Sequence, residues 1–372
     1  MPKAYVFTRN GGPEVEALVE QDVPVPGPGE LLVAVRAAGV NPVDWKLRTG
    51  YIRPGSEPQP FPTVFGSEAA GVVEGVGPDV EGFAVGDEVF GNPVTGGYAE
   101  YTLLPVAVTA HKPAGLSFAD AAVLPVAAAT AYDGVRQLDP APGSTLLITG
   151  AGGGVGVFAV QLARHAGVHV IAAASAAKKD FVESLGAVHV ESGPGLADRV
   201  RAAAPDGVDA IFDLVGGDTL RSVAPLLAAR HAGVHVIAAA SAAKKDFVES
   251  LGAVHVESGP GLADRVRAAA PDGVDAIFDL VGGDTLRSVA PLLADPATLI
   301  SAGGKPLAVE LGGAAVARAR TAAVLDEVAN LVVAGVLRTH VTATFPLSGA
   351  AEALRSVESG HARGKTVIEV DA

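Results

Sequence analysis

Chemistry first shows itself in a run of glycines. The apolar stretch Leu146-Leu147-Ile148-Thr149 leads into Gly150-Ala151-Gly152-Gly153-Gly154-Val155-Gly156, and Val157 to Arg164 then reads as a helix. Ala151, Gly153 and Gly156 keep the spacing of G-x-G-x-x-G with alanine first, and Gly154 and Val155 fall inside the turn. A backbone without side chains can approach a pyrophosphate there, while the helix start offers unpaired N–H donors and partial positive charge. No acidic residue stands in the first helical turn. A tight packing turn has the same composition, so the strand before and the helix after carry the dinucleotide reading.

The next strand, Val168 to Ala172, decides which dinucleotide. It runs into Ala173-Ala174-Ser175-Ala176-Ala177-Lys178-Lys179, with no Asp or Glu before Asp180. An acidic side chain at that strand end would hold the free 2′-hydroxyl of NAD, whereas Ser175 and Lys178 leave room and charge for a 2′-phosphate. NADP(H) is therefore the expected cofactor. The competing reading leaves both lysines solvated on an exposed helix.

These residues lie in a segment that occurs twice. Residues 163–228 recur without a change as residues 229–294. Solenoid repeats diverge and number three or more, so one identical pair in mid-chain is read as a recent duplication. Ser241, Lys244 and Val281 are the second-copy counterparts of Ser175, Lys178 and Val215, and only one set can lie beside the glycine turn.

The elements that position these groups change style along the chain. Up to about residue 120, short alternating strands such as Leu31 to Val35 and Val85 to Gly91 are separated by Gly and Pro turns, which reads as a mostly β, barrel-type domain. Beyond it, continuous apolar strands (Leu146 to Thr149, Val168 to Ala172, Val188 to Val190, Ala210 to Val215, Thr298 to Ser301) alternate with Ala-rich helices. That is the pattern of a parallel sheet buried on both faces. The tail predicts a helix over 321–336, a strand at Val341 to Phe345, a helix over Ser348 to His361 and a last strand at Thr366 to Val370.

Composition narrows the chemistry. With no cysteine among 372 residues, disulfides, thiolate zinc sites, iron–sulfur clusters and a cysteine nucleophile are excluded. A net charge of −14 argues against nucleic acid or an anionic membrane surface as partner. The longest uncharged run, between Asp139 and Arg164, is broken by Pro142-Gly143 and the glycine cluster, so no membrane span is expected. The start at Met1-Pro2-Lys3 lacks the succession of a signal peptide, which points to a cytoplasmic protein. Ser175-Ala176-Ala177-Lys178 fits S-x-x-K without its companion motifs, and Gly360 to Thr366 falls one residue short of a phosphate-binding P-loop and precedes a strand. The nine histidines lack metal-ligand pairing, and no metal site is expected.

Taken in order, several stretches resemble the zinc-independent quinone oxidoreductase branch of the medium-chain dehydrogenase/reductase family: Ala37-Ala38-Gly39-Val40-Asn41-Pro42-Val43-Asp44, Phe65-Gly66-Ser67-Glu68, Gly96-Gly97-Tyr98, Leu124-Pro125 with Thr130, Phe212-Asp213-Leu214-Val215-Gly216-Gly217, and His361-Ala362-Arg363-Gly364-Lys365. The resemblance implies an α/β chain with a GroES-like substrate domain (1–120 with 339–372) and a Rossmann doubly wound parallel sheet (121–338). By the same resemblance Asn41 lies near nicotinamide and acceptor, Asp44 and Lys46 stand nearby as weaker catalytic candidates, and Thr130 and Val215 contact the cofactor. Zinc-dependent relatives place a cysteine where residues 41 to 44 stand and a histidine where Ser67 stands. The implied reaction is hydride delivery from NADPH to a quinone or α,β-unsaturated carbonyl without zinc, with a homodimer left open as the assembly.

The repeat qualifies this. A surplus segment that leaves and rejoins the fold at one point costs roughly 4 kcal/mol in loop closure, against a net stability of about 5 to 15 kcal/mol. The expected crossover between copies is a surface loop such as Gly193 to Gly195 or Ala204 to Gly207. Two classes remain: a working reductase, and a cofactor-binding chain impaired by the repeat.

Overall fold

The computed structural model describes residues 1–52, 60–215, 217–223, 226, 237–240, 242, 245, 249, 254–271, 273–274, 277–279, 283–293, 299–301, 310–311, 314–315, 319, 321–360 and 362–371. The chain forms two bodies, one of residues 1–194, 212–215 and 319–372, the other of residues 195–211 and 216–318.

In the first body strand β3 (Glu30–Val40) is the spine of a seven-stranded sheet. One edge pairs with β5 (Ala69–Val76); the other is shared by β7 (Tyr101–Pro105) along its first half and β19 (Lys365–Glu369) along its second. β18 (Val341–Pro346) lies parallel on β19, and β6 (Glu88–Gly91) and β8 (Thr109–His111) extend the sheet beyond β5. Both ends of the chain thus meet in one sheet. A smaller sheet joins β1 (Lys3–Phe7), β2 (Glu16–Glu20) and β4 (Thr63–Val64). Alternating apolar residues close a core of Tyr5, Phe7, Phe65, Tyr98 and Ile368, sealed by Leu354 of the helix Ala350–Glu358. Tyr5 stacks on Phe65 at 5.6 Å between ring centres.

The parallel sheet has the order β11-β10-β9-β12, from β9 (Thr145–Thr149), β10 (His169–Ala174), β11 (Val188–Glu191) and β12 (Ala210–Phe212). β9 and β10 are buried nearly throughout, as continuous apolar strands require. Helix α4 (Gly154–His165) packs on both, beside α3 (Ala129–Leu138). Helix α4 starts three residues earlier than expected, inside the glycine turn. β12 stops at Phe212 because the chain turns to meet β9: Thr149 Oγ1 donates to Asp213 at 2.5 Å and accepts from the Leu214 N–H at 3.1 Å.

The repeated segment corrects one expectation. β10, β11 and β12 all come from the first copy, so the chain does not cross between copies at Gly193 to Gly195 or Ala204 to Gly207. Those loops are tight and locally bonded, with Gly195 opening helix α6 (Leu196–Ala203) and the Gly207 N–H donating to Ala204 at 3.0 Å, and they carry the first copy on into its own β12. In the second copy β13 (Ile237–Ala240) and β14 (Val254–Glu257) pair in parallel, among the described residues by themselves, Ile237 opposite Val254 just as Ile171 is opposite Val188. β15 (Ile277–Asp279) forms a separate parallel sheet with β16 (Leu299–Ser301) and β17 (Ala314–Ala315). Gly195 and Gly261 open the two matching helices with φ of 76° and 78°. Among the described residues no helix is long and apolar enough to cross a membrane.

Candidate functional site

The glycine turn has the geometry its spacing implies. Gly150 takes φ of 65°, the Gly153 N–H donates back to Gly150 at 3.0 Å, and Gly153 caps α4. The Ala151 N–H ties the turn to Ala173 of β10 at 3.2 Å. At Gly156 a Cβ would stand 2.4 Å from the Gly150 oxygen and 2.6 Å from Ala151 Cα, so only glycine lets the helix close on the strand. Gly154 and Val155 present first-turn N–H groups without intrahelical acceptors. Val215 lies against the turn, 3.2 Å from where a Cβ on Gly150 would be. Thr130, on α3, donates to the Val126 oxygen at 2.5 Å.

At the end of β10, Ser175 is exposed and Lys178 is half-buried, its stem so close that a Cβ on Gly152 would stand 2.6 Å from it. The Lys178 ammonium donates to the Ala362 oxygen at 2.6 Å, and Arg363 donates to the Ala177 oxygen at 2.8 Å. Two cations therefore flank one short backbone turn. Burial first, and the Arg363 charge second, push the Lys178 ammonium below its ordinary pKa. Among the described residues Lys178 has no ion-pair partner. An anion placed here would relieve the mutual repulsion of the two cations. Ser241, Lys244 and Val281 lie outside the described residues.

The stretch expected to form the acceptor side is built where β3 runs into α1 (Pro42–Arg48). Asn41 is the N-cap, Pro42 takes the first helical position, and the Asn41 N–H donates to Asp44 at 2.9 Å. Asp44 also accepts from Ser67 at 2.6 Å and from Tyr98 at 2.9 Å. Burial pushes its carboxyl above the usual range despite these donors, and it pushes the Tyr98 phenol up strongly, with the Asp44 charge adding. The Asn41 side chain turns elsewhere. Its Nδ2 donates to Glu68 at 2.7 Å and its Oδ1 accepts from Lys365 at 2.7 Å, while Lys365 also donates to Glu68 at 3.0 Å.

Sheet register explains this cluster. Thr366 stands opposite Val40 in the antiparallel β3–β19 pair, so the next position out places Lys365 beside Asn41. Gly39 makes room: a Cβ there would stand 2.1 Å from a Glu68 oxygen. The second Glu68 oxygen accepts from the Val126 N–H at 2.7 Å, at the widened helical turn Leu124–Ala128 that carries Pro125. Glu68 and Lys365 are at most 3% exposed. Asp44 and Ser67 also line a cavity of about 30 Å³ with Leu47, Phe65 and Val94. A larger cleft of about 470 Å³, lined by Gln161, Arg164, Arg338 and His340, opens at the far end of α4 and touches none of these groups.

Lys46 stands apart. It is exposed, with its ammonium 5.7 Å from the Trp45 ring centre, because residues two apart on a helix point to different faces. Asn41 and Asp44 are brought together; Lys46 is not. Sequence reasoning assigned no role to Glu68, Lys365, Tyr98 or Arg363. Their stretches were recognisable, but only the strand register brings position 365 to position 41.

The chain matches the family description "Alcohol dehydrogenase GroES-like domain" over residues 27–114 and "Zinc-binding dehydrogenase" over residues 154–228 and again over 251–368. It is 30% identical over 365 residues to a mitochondrial NAD(P)H oxidoreductase of Homo sapiens, covering 92% of this chain and 82% of that protein. The chain belongs to the medium-chain dehydrogenase/reductase family. Another such relative, an NADPH-dependent alkenal/one oxidoreductase of Arabidopsis thaliana, is 37% identical over 227 residues, 58% of this chain. The chain spans little more than half the length of several curated relatives, 57% in that case. The solved structure of a quinone oxidoreductase from Coxiella burnetii superposes with a TM-score of 0.62 at 25% identity, over 100% of this chain and 99% of that one. The fold is thus the GroES-like domain with a Rossmann-type parallel sheet of medium-chain dehydrogenase/reductases.

Zinc does not fit the cluster of Asn41, Asp44, Glu68 and Lys365. Asp44 takes three hydrogen bonds, Glu68 is held by an ammonium, an amide and a backbone N–H, and no thiolate or imidazole stands among them. A cation there would meet the Lys365 ammonium rather than a ligand set.

Proposed function

We propose that the chain is an NADPH-dependent reductase that delivers hydride to a quinone or an α,β-unsaturated carbonyl without zinc. The observation that carries this is one body holding both the glycine turn with its cation pair and a buried cluster of Asn41 and Glu68 whose cation, among the described residues, is the Lys365 ammonium. Gly150, Gly153, Gly154, Val155 and Gly156 would hold the pyrophosphate, Lys178, Ser175 and Arg363 the 2′-phosphate, and Thr130 and Val215 the remainder of the cofactor. Bound NADPH supplies the hydride.

Negative charge then gathers on the acceptor oxygen, and the Asn41 amide donates a hydrogen bond to it. A preorganised donor in a dry site stabilises such charge more than water does. Asp44 and Ser67, at the small cavity, form the polar side of the acceptor site, and a proton from solvent completes the reduction. The names of the Arabidopsis and Coxiella proteins support this substrate class, and that of the human protein supports the nicotinamide cofactor.

A second reading is favoured by one feature. The strands β15, β16 and β17 pair among themselves and not in the sheet of β9, so the cofactor sheet carries four strands among the described residues. On that reading the chain binds NADPH but turns over poorly. NADPH oxidation measured over a panel of quinones and enones, for the full chain and for one lacking residues 229–294, separates the two. Turnover by the full chain supports the reductase; turnover by the shortened chain alone supports impairment; NADPH binding by neither overturns both.

A further inference from the structure

We infer that Lys365 is a positioning residue that fixes which end of the Asn41 amide faces the acceptor. The inference rests on the proposed role of Asn41 and goes beyond it.

An asparagine amide is nearly symmetric in shape and opposite in chemistry at its two ends. Its direction is set by its neighbours, and here they allow one choice. An ammonium only donates, so the 2.7 Å contact to Lys365 Nζ requires the amide oxygen. An ionised carboxylate only accepts, so the 2.7 Å contact to Glu68 requires the amide nitrogen. Turned the other way, the NH2 would face the ammonium and the oxygen would face the carboxylate, two repulsive contacts in a site at most 4% exposed. With the amide held this way, one Nδ2 hydrogen goes to Glu68. The other has only a marginal 3.5 Å contact to the Gly39 oxygen and is the donor left for an acceptor oxygen.

Remove the ammonium and half of that instruction is lost. The Asn41 oxygen then has no partner, Glu68 alone still calls for the amide nitrogen, and the amide, held at one end only, no longer keeps its second N–H aimed at the developing negative charge. The effect falls on the chemical step, not on cofactor binding. The Lys365 stem does pass the α4 start, 3.1 Å from where a Cβ on Gly154 would be, so a role confined to cofactor binding would alter NADPH affinity instead.

The test is a cycle of Asn41→Ala, Lys365→Met and both together, read as kcat and KM with a turned-over quinone and as NADPH affinity by nicotinamide fluorescence. Expected is a kcat lowered between about 10- and 100-fold in K365M, within the span of losing one oxyanion donor. NADPH affinity stays within about threefold, and the double variant is no slower than N41A. K365R, still a pure donor, retains most of the rate. If K365M fails to fold, K365Q replaces it, since a glutamine amide can donate or accept and so no longer dictates direction. Losses that multiply in the double variant, or a K365M rate within twofold of the parent while N41A is impaired, overturn the assignment of Lys365. Full activity in N41A overturns instead the Asn41 reading on which it rests.

Discussion

Replacing Glu68 by glutamine tests the buried pair directly. The carboxylate receives Lys365 and Asn41 on one oxygen and the Val126 N–H on the other, three donors in all. A glutamine amide has one acceptor end. Whichever way it turns, its NH2 faces a donor, and the Lys365 ammonium loses its counter-charge at 2% side-chain exposure. Removing one partner of a buried pair costs about 3 to 5 kcal/mol because the remaining charge stays desolvated. For a body of this size that corresponds to a fall in Tm of roughly 6 to 20 °C. The assay is scanning calorimetry of the parent, E68Q, K365M and the double variant at neutral pH. The double variant should regain at least half of the E68Q loss, since no uncompensated charge remains. An E68Q transition within about 2 °C of the parent, or losses that simply add in the double variant, would refute the reasoning.

Three further outcomes follow from the same geometry. G156A should weaken NADPH binding by at least about tenfold in a fluorescence titration, because its methyl group meets backbone at 2.4 Å and overpacking opens the turn; unchanged affinity would mean the turn does not hold the pyrophosphate. K178Q/R363Q should raise the KM for NADPH about 10- to 100-fold while leaving NADH within about threefold, since only the 2′-phosphate meets these charge-assisted donors; equal changes for both cofactors would place the cations elsewhere. Burial holds the Asp44 carboxyl above its ordinary 3.8, so the folded chain binds that proton more tightly than the unfolded one. Its contribution is complete below that pH and is lost as pH rises through the raised pKa. Thermal scans from acid to neutral pH should show that D44N loses less stability over this rise than the parent, and parallel curves would show Asp44 to be ionised at an ordinary pKa.

What could be read from residues alone followed how local the cause was. The glycine turn was legible because each of its constraints lies within seven residues: a positive φ at Gly150, a cap at Gly153, a close approach at Gly156. The Asn41–Asp44 pairing was nearly so, being a helix cap followed by its third residue. Lys46 was misleading for the same reason, since proximity in sequence does not put positions 44 and 46 on one helix face. Glu68 and Lys365 needed information no short window contains: the register that sets Thr366 against Val40, and a glycine at 39 that admits a carboxylate. The early end of β12 was hidden because Leu214 and Val215 are apolar enough to continue a strand, while the Thr149 hydroxyl, more than sixty residues away in sequence, bonds Asp213 and Leu214 where the strand ends. Which copy joins β9 was not legible because identical sequences contain nothing to prefer one copy over the other.

The repeat also works as a control built into the molecule. One strand pair occurs twice, once beside β9 and once, among the described residues, without such a neighbour, and it reaches the same residue-for-residue pairing in both settings. Register between β10 and β11 is therefore a property the segment carries with it rather than one imposed by the strand next door. Tertiary contact does not travel in the same way: Lys178 of the first copy donates to Ala362 in the tail of the chain and overlies the glycine turn, ties that the segment's own sequence does not supply.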